Sequence, residues 1–172
     1  FLKKVSRLVA SENLPVCWTT PKPLNFPVQM MCYKKESKRV KTKMGDSIIK
    51  LSIQSDTDEI DKRKTAQSIC PNLIHSLDAS CLMLAVIKAK DKGVTNFSLI
   101  HDSFGCVAPD VHKLSEAIRE AFCEVYEQDV LTNWAMEMKQ MLSDKNAKKF
   151  PHIPERGNLD LSLVKQSIFF CV

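Results

Sequence analysis

From Pro71 to Gly93 the chain reads Pro-Asn-Leu-Ile-His-Ser-Leu-Asp-Ala-Ser-Cys-Leu-Met-Leu-Ala-Val-Ile-Lys-Ala-Lys-Asp-Lys-Gly, and no other stretch constrains the fold as strongly. Pro at the first helical position and Gly just past the last are the expected punctuation of an α-helix. Its middle is apolar nearly all round, so it requires burial against several other elements. The other segments of this 172-residue chain must supply them. That length suits one domain or a large piece of one, and 44% hydrophobic with 26% charged residues is the balance of a globular protein. No apolar run approaches the ~20 residues of a membrane helix, so no membrane partner is expected. Phe1-Leu-Lys-Lys-Val-Ser-Arg has neither an initiator Met nor a signal-peptide core, which suggests the interior of a longer reading frame. Seven cysteines without a CxxC pair fit reduced core thiols in a reducing compartment, and argue against zinc.

The candidate partners of the central helix follow from periodicity. Leu2, Val5, Leu8 and Val9 share one face of a helix over residues 1–13. Pro15, Pro21, Pro23 and Pro27 enforce extended or turning backbone, with Trp18 and Phe26 as its anchors to a core. Beyond the central helix, Pro109-Asp110 opens a helix with Val111, Leu114, Ile118, Phe122 and Val125 on one face. Another amphipathic segment runs from Val130 to Leu142. Ser143 to Pro154 reads as a loop, Asn158 to Lys165 as a last short helix, and the apolar end Ile168 to Val172 should dock. Helices segregated from short antiparallel hairpins make the fold class α+β.

Two hairpins carry the chemistry. The first spans Val28 to Ile53, with an outgoing arm to Lys43, a turn at Met44-Gly45-Asp46-Ser47 and a return arm from Ile48. From Tyr33 to Lys50, seven bases (Lys34, Lys35, Lys38, Arg39, Lys41, Lys43, Lys50) face only Glu36 and Asp46, an excess equal to the whole chain's net charge of +5. Such an arm suits a polyanion, because each phosphate neutralised releases a counterion. Equally, lysines on exposed strands block edge-to-edge aggregation. Residues 55–64 are charged with acids before bases, an order that would suit a helix start; they read as solvated surface. The second hairpin is Asn96 to Ala108, where Phe97, Leu99 and His101 alternate with Ser98, Ile100 and Asp102. Phe104-Gly105 offers its turn. Asp102 at the tip could hold a divalent cation, or it and Ser103 could be turn formers. His75 and Asp78 lie three apart on one helix face, as a structural hydrogen bond or a functional pair.

Pro71-Asn-Leu-Ile-His-Ser-Leu-Asp-Ala-Ser80 followed by Leu99-Ile-His-Asp-Ser-Phe-Gly105 resembles the C-terminal part of the bacteriophage-type single-subunit DNA-directed RNA polymerases, a family with phage, mitochondrial and plastid members. Trp18-Thr-Thr-Pro21, Phe26-Pro-Val28, Asp61 to Lys64 and Pro154-Glu-Arg-Gly-Asn-Leu-Asp-Leu161 add to the resemblance, which covers essentially the whole chain. It implies part of a right-hand polymerase fold: residues 1–27 as the end of a fingers-side helix and connector, 28–54 as a specificity-loop-like hairpin, and 55–172 as the C-terminal palm portion. Asp102 would be the catalytic palm aspartate and a ligand of two Mg2+ ions, which stabilise the attacking and leaving oxygens of nucleotidyl transfer. His101, Ser103, His75 and the terminal Val172 would lie near the substrate and nucleic acid. Lys34, Lys35, Lys38, Arg39, Lys41 and Lys43 would contact DNA. Double-stranded DNA template and promoter, nascent RNA and nucleoside triphosphates are the implied partners, with the upstream part of the same polypeptide. The second metal carboxylate and the fingers residues would lie upstream, so the chain would be inactive alone. His-Asp-Ser-Phe-Gly leans toward a phage enzyme in a host cytoplasm, with a mitochondrial or plastid enzyme as the alternative. A DNA polymerase of the same superfamily, or a non-catalytic basic DNA-binding module, are rival readings; Ser103 and the His-Ser-Leu-Asp helix favour RNA polymerase over the former.

Overall fold

Asp61, not Pro71, starts the central helix. In the computed structural model, which describes residues 1–100 and 103–170, α2 runs from Lys62 to Asp91. The Asp61 carboxylate accepts from the backbone N–H groups of Arg63 and Lys64, both at 2.9 Å, satisfying donors that a helix start leaves without partners. Pro71 is carried inside, where it forfeits one backbone hydrogen bond. The segment expected as solvated surface, residues 55–64, is exposed apart from Ile60 and, in part, Thr57 and Asp61, and there it forms the end of a strand plus a helix cap. At 30 residues α2 spans roughly 45 Å at 1.5 Å per residue. By length and composition it could cross a membrane, contrary to the expectation from uninterrupted apolar runs. Here it is the spine shared by two cores.

The first core gathers α1 (Leu2–Ser11), the N-terminal half of α2, α4 (Val130–Met141) and the two-stranded sheet of β1 (Val16–Thr19) with β2 (Pro27–Met30). Val5, Val9, Trp18, Ile69, Leu73, Trp134 and Met138 interlock there. Trp18 is buried as expected, whereas Phe26 is exposed. The second core lies between the C-terminal half of α2 and α3 (Val111–Glu127), where Leu84, Ala85 and Ala89 meet Leu114, Ala117, Ala121 and Val125. Lys92 closes this end by donating to Glu116 at 2.9 Å and Glu120 at 3.1 Å; those bonds raise its pKa. α2 is not buried all round: Ile74, Met83 and Ile87 remain exposed.

Two antiparallel hairpins complete the fold, with β3 (Tyr33–Met44) on β4 (Ser47–Ile60) and β5 (Phe97–Ile100) on β6 (Ser103–Cys106). The basic hairpin thus occupies residues 33–60 rather than 28–54, because Pro27–Met30 pairs with β1 instead. Gly45 takes φ +61° at the first position of its two-residue turn, as a type II′ turn demands. Ser143–Pro154, expected as loop, contains the short α5 (Asp144–Ala147), and α6 (Ser162–Gln166) is the last helix.

Candidate nucleic-acid interface and catalytic hairpin

The β5–β6 hairpin is seated by alternation. Phe97 faces Cys106 across the ladder, and both pack with Phe104 against Ala89 of α2, Val94 just beyond it, and Leu114 and Ala117 of α3. Its last pair is Ile100 with Ser103. Phe104-Gly105 therefore lies inside β6 and is not the turn. Gly105 serves close approach instead, since a Cβ there would stand 3.3 Å from both Cβ and O of Ser98. Ser103 is exposed at the start of β6. His101, Asp102 and Val172, the other residues expected near substrate or metal, lie outside the described residues.

His75 is exposed on α2 together with Ala79, Met83 and Ile87 at successive steps of four residues, and Ile74 and Asp78 are exposed beside them. No hydrogen bond or ion pair joins His75 to another side chain among the described residues, so a His75–Asp78 bond is not formed. Asp78 acts on the other side: with burial as the larger cause, its charge helps push the Cys81 thiol up to about 11 and raises Tyr126. Cys81 is consequently a neutral thiol near neutral pH. The residue between them, Ser76, was missed by the sequence reading. Its hydroxyl accepts the indole N–H of Trp18 at 3.0 Å and donates to the Leu73 carbonyl at 2.7 Å. That bond ties the Trp-Thr-Thr-Pro segment to the His-Ser-Leu-Asp helix. Spacing could have revealed it, because Ile69, Leu73, Ser76, Ser80 and Leu84 follow one helical face.

The basic hairpin has two unlike faces. Residues directly opposite in an antiparallel ladder project to the same side, and the register pairs Val40 with Leu51, Lys38 with Ile53, and Thr42 with Ile49. Lys41 opposes Lys50, Arg39 opposes Ser52, Lys43 opposes Ile48, and Lys35 opposes Asp56. Lys35, Arg39, Lys41, Lys43 and Lys50 thus form one face, while Lys38 sits with the apolar residues on the other. Lys34 makes an ion pair with Glu59 at 2.5 Å, and each shifts the other's pKa toward the charged form. The root is clamped: Asn13, at φ 59°, donates to the Asp58 carbonyl at 3.0 Å and accepts from the Ile60 N–H at 2.8 Å. Beyond that root the strands pack on one another alone, and the basic face is solvent-exposed throughout.

Among the described residues no group of three His, Cys, Asp or Glu side chains is arranged to hold a metal ion. Magnesium is usually held by one or two carboxylates, with waters and substrate phosphates completing its shell. The site expected here shares its ions with a carboxylate elsewhere in the polypeptide, and its own ligand, Asp102, lies outside the described residues.

The family model described as DNA-dependent RNA polymerase matches residues 2–149. DNA-directed RNA polymerase 2 of Arabidopsis thaliana, chloroplastic and mitochondrial, is 40% identical over 165 residues, covering 96% of this chain and 15% of that protein. The mitochondrial polymerase 1 of Nicotiana sylvestris is 35% identical over 170 residues, with 99% and 16% coverage. DNA-directed RNA polymerase 1A of Nicotiana tabacum is 36% identical over 163 residues, 95% of this chain and 99% of that sequence. The chain thus spans about 15% of the length of the first two relatives. Relatives named for plant mitochondria and chloroplasts overturn the expectation of a phage enzyme in a host cytoplasm. The signature that suggested it, Gly105, has a local cause in the close Ser98 contact. With its model matching residues 2–149 and the three relatives above aligning over 95% or more of this chain, the DNA-dependent RNA polymerases are the family to which this protein belongs.

Proposed function

We propose that this chain is the C-terminal palm-side portion of a single-subunit DNA-directed RNA polymerase with a right-hand fold, working in a mitochondrion or plastid. Family membership supports the activity, and the carrying observation for the site is the β5–β6 hairpin. Its strands are fixed on α2 and α3 by Phe97, Phe104 and Cys106, and Asp102 falls in sequence between the last paired residues, Ile100 and Ser103. In this reading Asp102 is one of the carboxylates that hold magnesium, and the remaining ligands come from elsewhere in the polypeptide. The exposed stripe of α2 with His75 would then be covered by that remaining protein and by substrate.

The basic hairpin fits template or promoter DNA. Lys41 and Lys50 stand directly opposite, flanked diagonally by Arg39 and Lys43, and like charges in that relation destabilise a ladder. A phosphate backbone laid along this face would relieve the repulsion and release counterions. Nucleoside triphosphates and nascent RNA complete the partners.

The test is promoter-independent RNA synthesis by the intact polymerase and its Asp102→Asn variant. Loss of a metal-holding carboxylate should lower the elongation rate by roughly a thousandfold or more, with template affinity kept. Near-normal elongation by the variant would remove Asp102 from the catalytic centre.

A further inference from the structure

We propose that Arg119 is the positioning residue for the C-terminal aromatic end of the chain. The guanidinium leaves the middle of α3 and donates through Nη1 to the carbonyls of Val164, at 2.7 Å, and Ser167, at 2.5 Å. Those groups belong to the last turn of α6 and to its C-cap, where a five-residue helix has carbonyls it cannot satisfy internally. A cation there also meets the negative end of the helix dipole. The same guanidinium lies 5.5 Å from the ring centroid of Phe170. Phe122, three residues further along α3, meets that ring edge-on at 5.0 Å. One arginine therefore fixes both where α6 ends and where the following aromatic sits.

Among the described residues, the other side-chain hydrogen bond at this end is local, from the Ser167 hydroxyl to the Phe169 carbonyl at 2.8 Å. Ile168 and Phe169 are 85% and 81% exposed, contrary to an apolar terminus docked along its length. Upstream, the segment is tethered through Cys123 Sγ to the Leu161 carbonyl at 3.4 Å, and through Arg156 to the carbonyls of Glu127 and Tyr126. These contacts hold the approach to α6 rather than its exit. No ion pair of Arg119 with a carboxylate is formed among the described residues, so its charge is committed to carbonyls and a ring. Lysine would reproduce this only in part, because its ammonium could donate to both carbonyls from one nitrogen, as Nη1 does, but has no planar face to lay on the Phe170 ring.

That the positioned end serves the reaction rests on the reading, above, of this chain as the palm side of a polymerase, with the terminal Val172 near the substrate. The experiment separates the two claims. In the intact polymerase, amide hydrogen exchange of residues 160–170 is compared for wild type, Arg119→Lys, Arg119→Ala and Phe170→Leu, together with KM and kcat for nucleotide. Exchange should rise roughly tenfold in Arg119→Ala, the scale of one lost charge-assisted hydrogen bond. Arg119→Lys, which keeps a donor for the carbonyls and loses the face on the ring, should rescue only part of it, Phe170→Leu should show a smaller rise, and α3 should keep its protection. Nucleotide KM should increase several-fold, on the same scale, while template affinity stays unchanged. Unchanged exchange at 160–170, or equal loss of protection throughout α3, would overturn the role given to Arg119. A released end with unaltered KM and kcat would leave the Arg119 anchor standing and overturn the placement of that end beside the substrate.

Discussion

Ser98 and Gly105 face each other across the β5–β6 ladder with room for only one side chain. Adding a Cβ at Gly105 puts it 3.3 Å from Ser98 Cβ and O, closer than a relaxed contact, and two strands already anchored on α2 and α3 have little freedom to part. Gly105→Ala should therefore loosen the hairpin by about 1–3 kcal/mol, the ordinary cost of overpacking. Ser98→Gly removes the facing Cβ and should recover part of that loss, a coupling of neighbours that a double-mutant cycle measures. Amide exchange of residues 97–106 is the readout; equal, additive effects would show that the strands do not meet there. A glycine that reads in sequence as a turn former is here a spacing device. Sequence cannot distinguish the two, because both are consequences of lacking a Cβ.

Alternation along β3 and β4 creates an element with a basic face and an apolar one. Val40, Leu51 and Ile53 are 42%, 48% and 53% exposed, so the hairpin's own ladder and its Asn13 clamp must hold it against solvent. Within that ladder the Lys41–Lys50 pair works against folding and for anion binding. Lys50→Thr should consequently move two observables in opposite directions. The hairpin should gain a few tenths of a kcal/mol, as a β-branched residue replaces a like charge in a cross-strand pair. DNA affinity should fall, and the slope of log affinity against log salt should shrink by about 0.9 if one phosphate contact is lost. An unchanged slope would mean that this face does not touch the backbone. Lys38, on the other face, and Lys34, paired with Glu59, should affect the slope less.

At the scale of the whole molecule, distant segments are joined by polar ties around the α2 spine. Glu12, at the end of α1, accepts from Ser143 Oγ at 2.7 Å and from Asn146 at 2.6 Å, and so holds α5 against the first core. The Ser143 hydroxyl, then Asn146, lowers its pKa. A depressed carboxylate pKa means that this tie is present above the ordinary carboxylate value and is lost as pH falls through the lowered folded value. Protection of the Ser143 amide should follow that course on acidification, and Glu12→Gln should flatten it; a pH-independent amide would show that the carboxylate is not the tether. Asn13, Glu12 and Ser143 carry no periodic signal, since their partners lie 45 to 134 residues away. What the sequence determined alone was local or modular: the apolar central helix, the amphipathic α3 and α4, the basic arm, and motifs sufficient to indicate the family. Each rests on spacing within one element, where 3.6- and 2-residue periods leave their mark. Tertiary structure decided the rest. Asp61 captured the helix start from Pro71, β1 took Pro27–Met30 from the basic hairpin, Trp18 found Ser76, and Arg119 took hold of the chain's end. The Asp61 cap is local to the helix it starts; in the other three cases a group from another element competes with local preference, and the winner is the partner that satisfies a backbone or buried polar group.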